Sequence, residues 1–198
     1  MKIAVLALQG AFAEHIRVMQ ELKVETVEIR QLRDLENNPD IAGLILPGGE
    51  STVQGKLLNE LGLMEPLREK ISSGLPVLGT CAGLILLASG IANDSNRYFA
   101  TLPVTVTRNA YGRQSGSFNA RDDFGDFGKI SMTFIRAPII SSVDNPEVKI
   151  LSSTAGAITG VRYRNQLGIT FHPELDNDYV VHKYFKESAA GYAGTNGN

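Results

Sequence analysis

One thiol, one imidazole and one carboxylate stand at two places in this chain where they could act together as a nucleophile and its base. The thiol is Cys81, the only cysteine. It lies in Leu75-Pro76-Val77-Leu78-Gly79-Thr80-Cys81-Ala82-Gly83-Leu84-Ile85-Leu86-Leu87. An apolar run ends there in a Gly-x-Cys-x-Gly turn and a second apolar stretch follows, as in a nucleophile elbow: strand, sharp turn, helix. Gly79 and Gly83 leave room for the returning helix. The residue at the tip of such a turn is held in a strained conformation, and a helix N-terminus favours a thiolate. The other reading is a buried cysteine packed as a small hydrophobe.

A second cluster pairs with the first. Leu167-Gly168-Ile169-Thr170-Phe171 reads as a strand that runs into His172-Pro173-Glu174. A thiol nucleophile needs a base to take its proton and a third group to orient that base. His172 suits the first role and Glu174 the second, since residues two apart in an extended segment point to one side. An isolated His-Pro-Glu would read as a loop histidine beside a solvated glutamate. A third segment, Pro47-Gly48-Gly49-Glu50-Ser51, ends another apolar run. Amides of Gly48 and Gly49, joined by that of Ala82 after the nucleophile, suit an oxyanion hole. Gly49 is also followed by Gly55-Lys56, but the spacing is wrong for a phosphate loop and Leu57 stands where magnesium needs a hydroxyl.

Elements that could hold these groups follow from the pattern of apolar runs. Ile3–Leu8, Val24–Ile29, Ile41–Leu46 and the run before Cys81 read as buried strands, with helices over about Ala11–Leu22 and Glu65–Ser72. Strands alternating with helices predict an α/β three-layer sandwich, a mostly parallel central sheet with helices on both faces. Active groups then gather at the carboxyl ends of the strands. Pro103–Arg108, Ser115–Ala120 and Ile130–Arg136 alternate, which predicts an antiparallel section covering the site. Lys149–Ser152, Ala157–Arg164 and Leu167–Phe171 close the sheet, with a hairpin turn at Arg164-Asn165-Gln166, and Asp178–Glu187 forms the last helix. With 198 residues, a single domain over 1–188 is expected, then a disordered tail over 189–198. A net charge of −2 gives no nucleic-acid or anionic-membrane footprint, and no apolar run approaches the roughly 20 residues of a membrane helix. A lone thiol suits a reducing, cytoplasmic setting. His15 and His182 read as helix-surface or rim residues, and Tyr111 and Phe118 as packing residues.

Taken together, Pro47-Gly48-Gly49-Glu50-Ser51, Gly79-Thr80-Cys81-Ala82-Gly83 and Phe171-His172-Pro173-Glu174 resemble a class I glutamine amidotransferase. Leu8-Gln9-Gly10, Arg108-Asn109-Ala110-Tyr111-Gly112-Arg113-Gln114, Ser117-Phe118 and Phe134-Ile135-Arg136-Ala137-Pro138 resemble in particular the glutaminase subunits of pyridoxal 5'-phosphate synthases. Other amidotransferases usually follow the nucleophile with glycine-histidine-glutamine, where this chain has Leu84-Ile85-Leu86. The resemblance spans residues 1 to about 187. It implies hydrolysis of L-glutamine by Cys81, His172 and Glu174, no cofactor or metal, and a synthase subunit as protein partner that takes the ammonia. It also implies substrate contacts from Gly49, Glu50, Ser51, Arg108, Ile135 and Arg136. An arginine fork suits an α-carboxylate, although a surface ion pair is the commoner fate of an arginine. Two other classes fit less well. In α/β-hydrolases the acid precedes the histidine, and the cysteine peptidase relatives carry a histidine where Ala82 stands. A scaffold subunit without turnover has no need of all three triad residues.

Overall fold

A computed structural model describes residues 1–108 and 116–196, the last two as backbone. The first half alternates strictly: β1 (Lys2–Leu6), α1 (Phe12–Glu21), β2 (Glu25–Ile29), α2 (Leu32–Glu36) and β3 (Gly43–Leu46) come first. Then follow α3 (Ser51–Glu60), α4 (Met64–Ser72), β4 (Val77–Thr80) and α5 (Ala82–Leu87). The second half is mostly strands: β5 (Ala88–Ile91), β6 (Leu102–Thr107), β7 (Ser117–Asp123), β8 (Lys129–Ile135), β9 (Ile139–Val143), β10 (Lys149–Thr154), β11 (Ala157–Tyr163) and β12 (Gln166–Ile169), before α6 (Val180–Asn196).

The main sheet runs β2-β1-β3-β4-β12-β11-β9-β6-β5, with β10 beside β11. The strands from β2 to β12 are parallel. The remainder is antiparallel except for the β5–β6 pair. Every residue of β3, β4 and β12 is buried, as a parallel sheet covered on both faces requires. Strand alternation splits the core in two. Ala4, Leu6, Leu44 and Leu46 pack with Leu58, Leu67 and the apolar residues of α5 on one face. Ile3, Val5, Ile45 and Leu78 pack with Met19 of α1 and Val181 and Phe185 of α6 on the other. The expected three-layer α/β architecture is the one observed.

Several expectations need correction. The antiparallel cover is narrower than the alternation suggests: β7 and β8 alone form a separate two-stranded sheet. Pro103–Arg108 belongs instead to the main sheet, because Leu102, Val104 and Val106 of β6 bury completely between its layers. The stretch expected to be disordered from Ala189 is helical as far as Asn196. Ala189 is wholly buried, and its Cβ lies where any side chain at Gly43 would meet it. The Asn109–Gln114 segment, Tyr111 included, and Ser115 lie outside the described residues.

Candidate active site

Cys81 sits between β4 and α5, and its backbone is what makes it an elbow. At φ 48° and ψ −101° it occupies a region that a residue with a Cβ reaches only at a cost of about 1–3 kcal/mol. The surroundings enforce it. The Cys81 N–H donates to the Ile169 carbonyl at 2.9 Å, carrying the β4–β12 pairing one residue further. Its carbonyl accepts the Ile85 N–H and starts the helix. The two glycines are needed because of close approach: a Cβ at Gly83 would lie 2.0 Å from the Leu46 carbonyl oxygen, and one at Gly79 would lie 2.8 Å from the Gly83 backbone. All six residues of α5 are buried, so the helix that presents the thiol is rigidly packed.

His172 and Glu174 meet by a route the sequence did not show. Strand β12 ends at Ile169, and Pro173–Leu175 is a single 3-10 turn rather than extended chain. The turn folds Glu174 back so that its Oε1 lies 2.7 Å from His172 Nδ1. The His172 N–H donates to the Thr133 carbonyl of β8 at 2.8 Å, and the imidazole rests against Gly48, where a Cβ would come 2.4 Å from Cε1. Burial works against an imidazolium here, but the neighbouring Cys81 and the hydrogen-bonded Glu174 outweigh it and raise the His172 pKa to about 10. Glu174 is fully buried. Against that desolvation, the field of the adjacent His15 imidazole and the bond to His172 hold its carboxyl below the ordinary range. Imidazole and carboxylate therefore form a hydrogen-bonded pair beside the thiol, with the charged state favoured at the imidazole.

Cys81 and His172 open onto a cavity of about 360 Å³, the size of a small-ligand site. Gly49, Glu50, Ser51, Arg108, Ile135 and Arg136 all line it, so the structure brings together every residue expected to touch substrate. Gly48 and Ala82 lie just behind the wall, the first under the His172 ring and the second as the opening residue of α5. The Gly48 carbonyl accepts the Ala11 N–H at 3.0 Å. Arg108 is held by Asp94 at 3.1 Å and by Tyr98 Oη at 3.3 Å, while its buried Nε has no protein partner among the described residues. Arg136 and Glu50 pair loosely at 3.6 Å, both largely exposed.

Sequence reasoning missed several contributors. Gln9 lines the cavity, and its Oε1 accepts the Glu50 N–H at 2.8 Å. Gln54 donates to the carbonyls of Gln9 and Pro47, so two glutamines pin the Gly48-Gly49 loop. The position of Gln9 just beyond the carboxyl end of β1 was the available signal. His15 and His182, expected on helix surfaces, are instead fully buried directly behind Glu174. Burial lowers the pKa of both, that of His182 to about 3. Among the described residues no cluster of histidine, cysteine and carboxylate side chains forms a metal site, and no helix is long and apolar enough to cross a membrane.

A cysteine on an elbow, a histidine–glutamate pair and a glycine-rich loop, all at the carboxyl edge of a parallel sheet, form the arrangement expected of a glutamine amidotransferase. The chain belongs to the SNO glutamine amidotransferase family, whose model matches residues 5–190. A pyridoxal 5'-phosphate synthase subunit PdxT from Desulfitobacterium hafniense (strain DSM 10664 / DCB-2) is 61% identical over 191 residues, covering 96% of this chain and 94% of the relative. One of the same name from Methanocorpusculum labreanum is 56% identical, covering 96% and 99%. A crystal structure of a glutamine amidotransferase superposes with a TM-score of 0.88 at 37% identity over 95% of this chain and 98% of the other. PurLQS from Thermotoga maritima, at 14% identity and a TM-score of 0.59, shares the fold.

Proposed function

We propose that this chain is the glutaminase subunit of a pyridoxal 5'-phosphate synthase, hydrolysing L-glutamine to glutamate and passing the ammonia to a synthase subunit. The names and near full-length similarity of the relatives support this reading. The observation that carries it is the His172 imidazole hydrogen-bonded to Glu174 and sharing with Cys81 the wall of a cavity that Arg108 also lines.

His172 takes the Cys81 thiol proton as the sulfur attacks the side-chain amide carbon of glutamine, forming a C–S bond while the carbonyl π electrons move to the oxygen as an oxyanion. Amides of Gly48, Gly49 and Ala82 stabilise that charge where it develops. The His172 imidazolium gives a proton to the nitrogen as the C–N bond breaks, ammonia leaves and a thioester remains. Water then attacks the thioester with His172 as base, releasing glutamate and restoring the thiol. Glu174 stabilises the imidazolium and fixes its orientation. Gly49, Glu50, Ser51, Ile135 and Arg136 hold the substrate, and Arg108 takes its α-carboxylate as a bidentate fork. The synthase subunit uses the ammonia to build pyridoxal 5'-phosphate from a pentose phosphate and a triose phosphate. The chain works in the cytoplasm, binds neither membrane nor nucleic acid, and is activated when the partner docks. Glutamate release with and without the synthase subunit tests this. Strong activation is expected; activation by an unrelated amidotransferase partner and none by this synthase would refute the assignment.

A further inference from the structure

Behind the triad lies a second buried set of polar side chains that the reaction as written does not use. His15 of α1 stands with Nε2 3.4 Å from Glu174 Oε2, an oxygen with no hydrogen bond among the described residues. The same nitrogen is 3.2 Å from Thr80 Oγ1, and His15 Nδ1 is 2.9 Å from His182 Nε2 of α6. All four residues are fully buried. Glu174 Oε2 and His182 Nδ1 have no hydrogen-bond partner among the described residues, and a buried polar group left so costs about 1–3 kcal/mol, so three buried polar side chains gathered beside this carboxylate need an explanation.

The tautomers follow from the contacts. Desolvation disfavours the charged form of both imidazoles; taken neutral, each has one N–H and one lone pair. A lone pair on His15 Nε2 would face the Glu174 carboxylate and be repelled; an N–H there is attracted. His15 Nδ1 is then an acceptor, and His182 Nε2–H donates to it. That leaves His182 Nδ1, which has no partner among the described residues, as a bare acceptor, the cheaper kind of buried orphan. The opposite arrangement would strand an N–H there. Both ends of the series select one tautomer.

We propose that His15 is a positioning residue for the triad: its Nε2–H, hydrogen-bonded to Thr80 Oγ1, attracts the second oxygen of Glu174 electrostatically at 3.4 Å, and His182 fixes the His15 tautomer that makes this possible. The inference rests on Cys81, His172 and Glu174 being the working triad. Glu174 is thereby held from both sides, by His172 at Oε1 and by His15 at Oε2. A carboxylate held in this way cannot rotate away from the His172 Nδ1–H when the imidazolium forms. The titratable groups facing His15 are Glu174, His172 and His182, with Glu14 from its own helix.

The single thiol makes a specific test possible without turnover. The rate at which iodoacetamide alkylates Cys81, followed by mass across the pH range where imidazoles and thiols titrate, reports how well His172 supports the thiolate. His15→Leu removes the N–H and is expected to slow alkylation at neutral pH about tenfold, no more than the worth of a hydrogen bond to a charged group, and to move the pH profile. His15→Gln places an amide N–H where Nε2 stands and retains most of the rate, whereas His15→Asn places it at the Nδ1 position and does not. A folded His15→Leu chain alkylated like the natural one overturns the proposal. Should His15→Leu fail to fold, equal rates in His15→Gln and His15→Asn overturn it instead. His172→Asn is run alongside. If it matches the natural chain, the triad reading falls and this proposal with it; if it differs while the two amide variants agree, only this proposal falls.

Discussion

Replacing Gly48 by alanine tests how tightly the catalytic imidazole is confined. The new Cβ would stand 2.4 Å from His172 Cε1 and 3.0 Å from Nδ1, where ordinary van der Waals contact begins at 3.4 Å. The ring must therefore retreat by about 1 Å, a displacement that costs roughly 10²-fold in rate when it falls on reacting groups. It has little freedom to do so: Nδ1 is tied to Glu174 at 2.7 Å, and the His172 N–H is tied to Thr133. Overpacking of this kind also costs about 1–3 kcal/mol of stability. Glutamate release by the complex with the synthase subunit should show kcat down about a hundredfold with KM for glutamine little changed. Gly191→Ala, where nothing lies within 4 Å of the added Cβ, is the control and should leave turnover as it was. A folded Gly48→Ala enzyme with the natural kcat would show that the imidazole is not held against the loop, and the confinement argued here would be wrong.

Three further outcomes follow from the same geometry. Arg108→Lys loses the fork and the Asp94–Tyr98 clamp on it, so KM for glutamine should rise at least tenfold with a smaller change in kcat, measured in the same assay. Gly55→Ala puts a Cβ 2.0 Å from Tyr98 Cε1 and should raise KM through displacement of Tyr98 and Arg108, visible as loss of glutamine protection against thiol alkylation. Stability against urea should peak near pH 6.5. Below it the unfolded chain protonates His15 and His182 while the folded chain does not, His182 holding out to about 3, which weakens the fold by up to about 1.4 kcal/mol per pH unit for each histidine. Above it the unfolded chain loses the His172 proton that the folded chain keeps to about 10, so stability falls again; a flat profile between these limits would contradict the assignment.

The grouping of Cys81, His172 and Glu174 was legible because the expected chemistry restricts residue type: a lone cysteine between close-packed glycines and a histidine two residues from a glutamate leave few other readings. The parallel half of the sheet was legible because most of its strands contain unbroken apolar runs, such as Ile3–Leu6 and Leu44–Leu46. What the sequence hid were groups whose meaning depends on distant partners. His15 on α1 gives no local sign that it meets His182 and Glu174, and so read as a surface residue. Helix α3 was unmarked because Gly55 interrupts it, and that glycine is there to admit the Tyr98 ring. The pairing of His172 with Glu174 was inferred for an extended segment, whereas a 3-10 turn achieves it. The strand β5 was masked because Ala88–Ile91 follows Leu87 of α5 directly, with no intervening loop.

The most direct measurement titrates the glutaminase activity of the complex against covalent capture by a chloroketone analogue of glutamine, with the labelled peptide identified by mass. Activity should fall in proportion to a single label on the peptide containing Cys81, glutamine should slow the labelling, and Cys81→Ala should take no label and release no glutamate. Turnover by Cys81→Ala at the natural rate, or full inactivation with the label elsewhere, would contradict the assignment of the nucleophile.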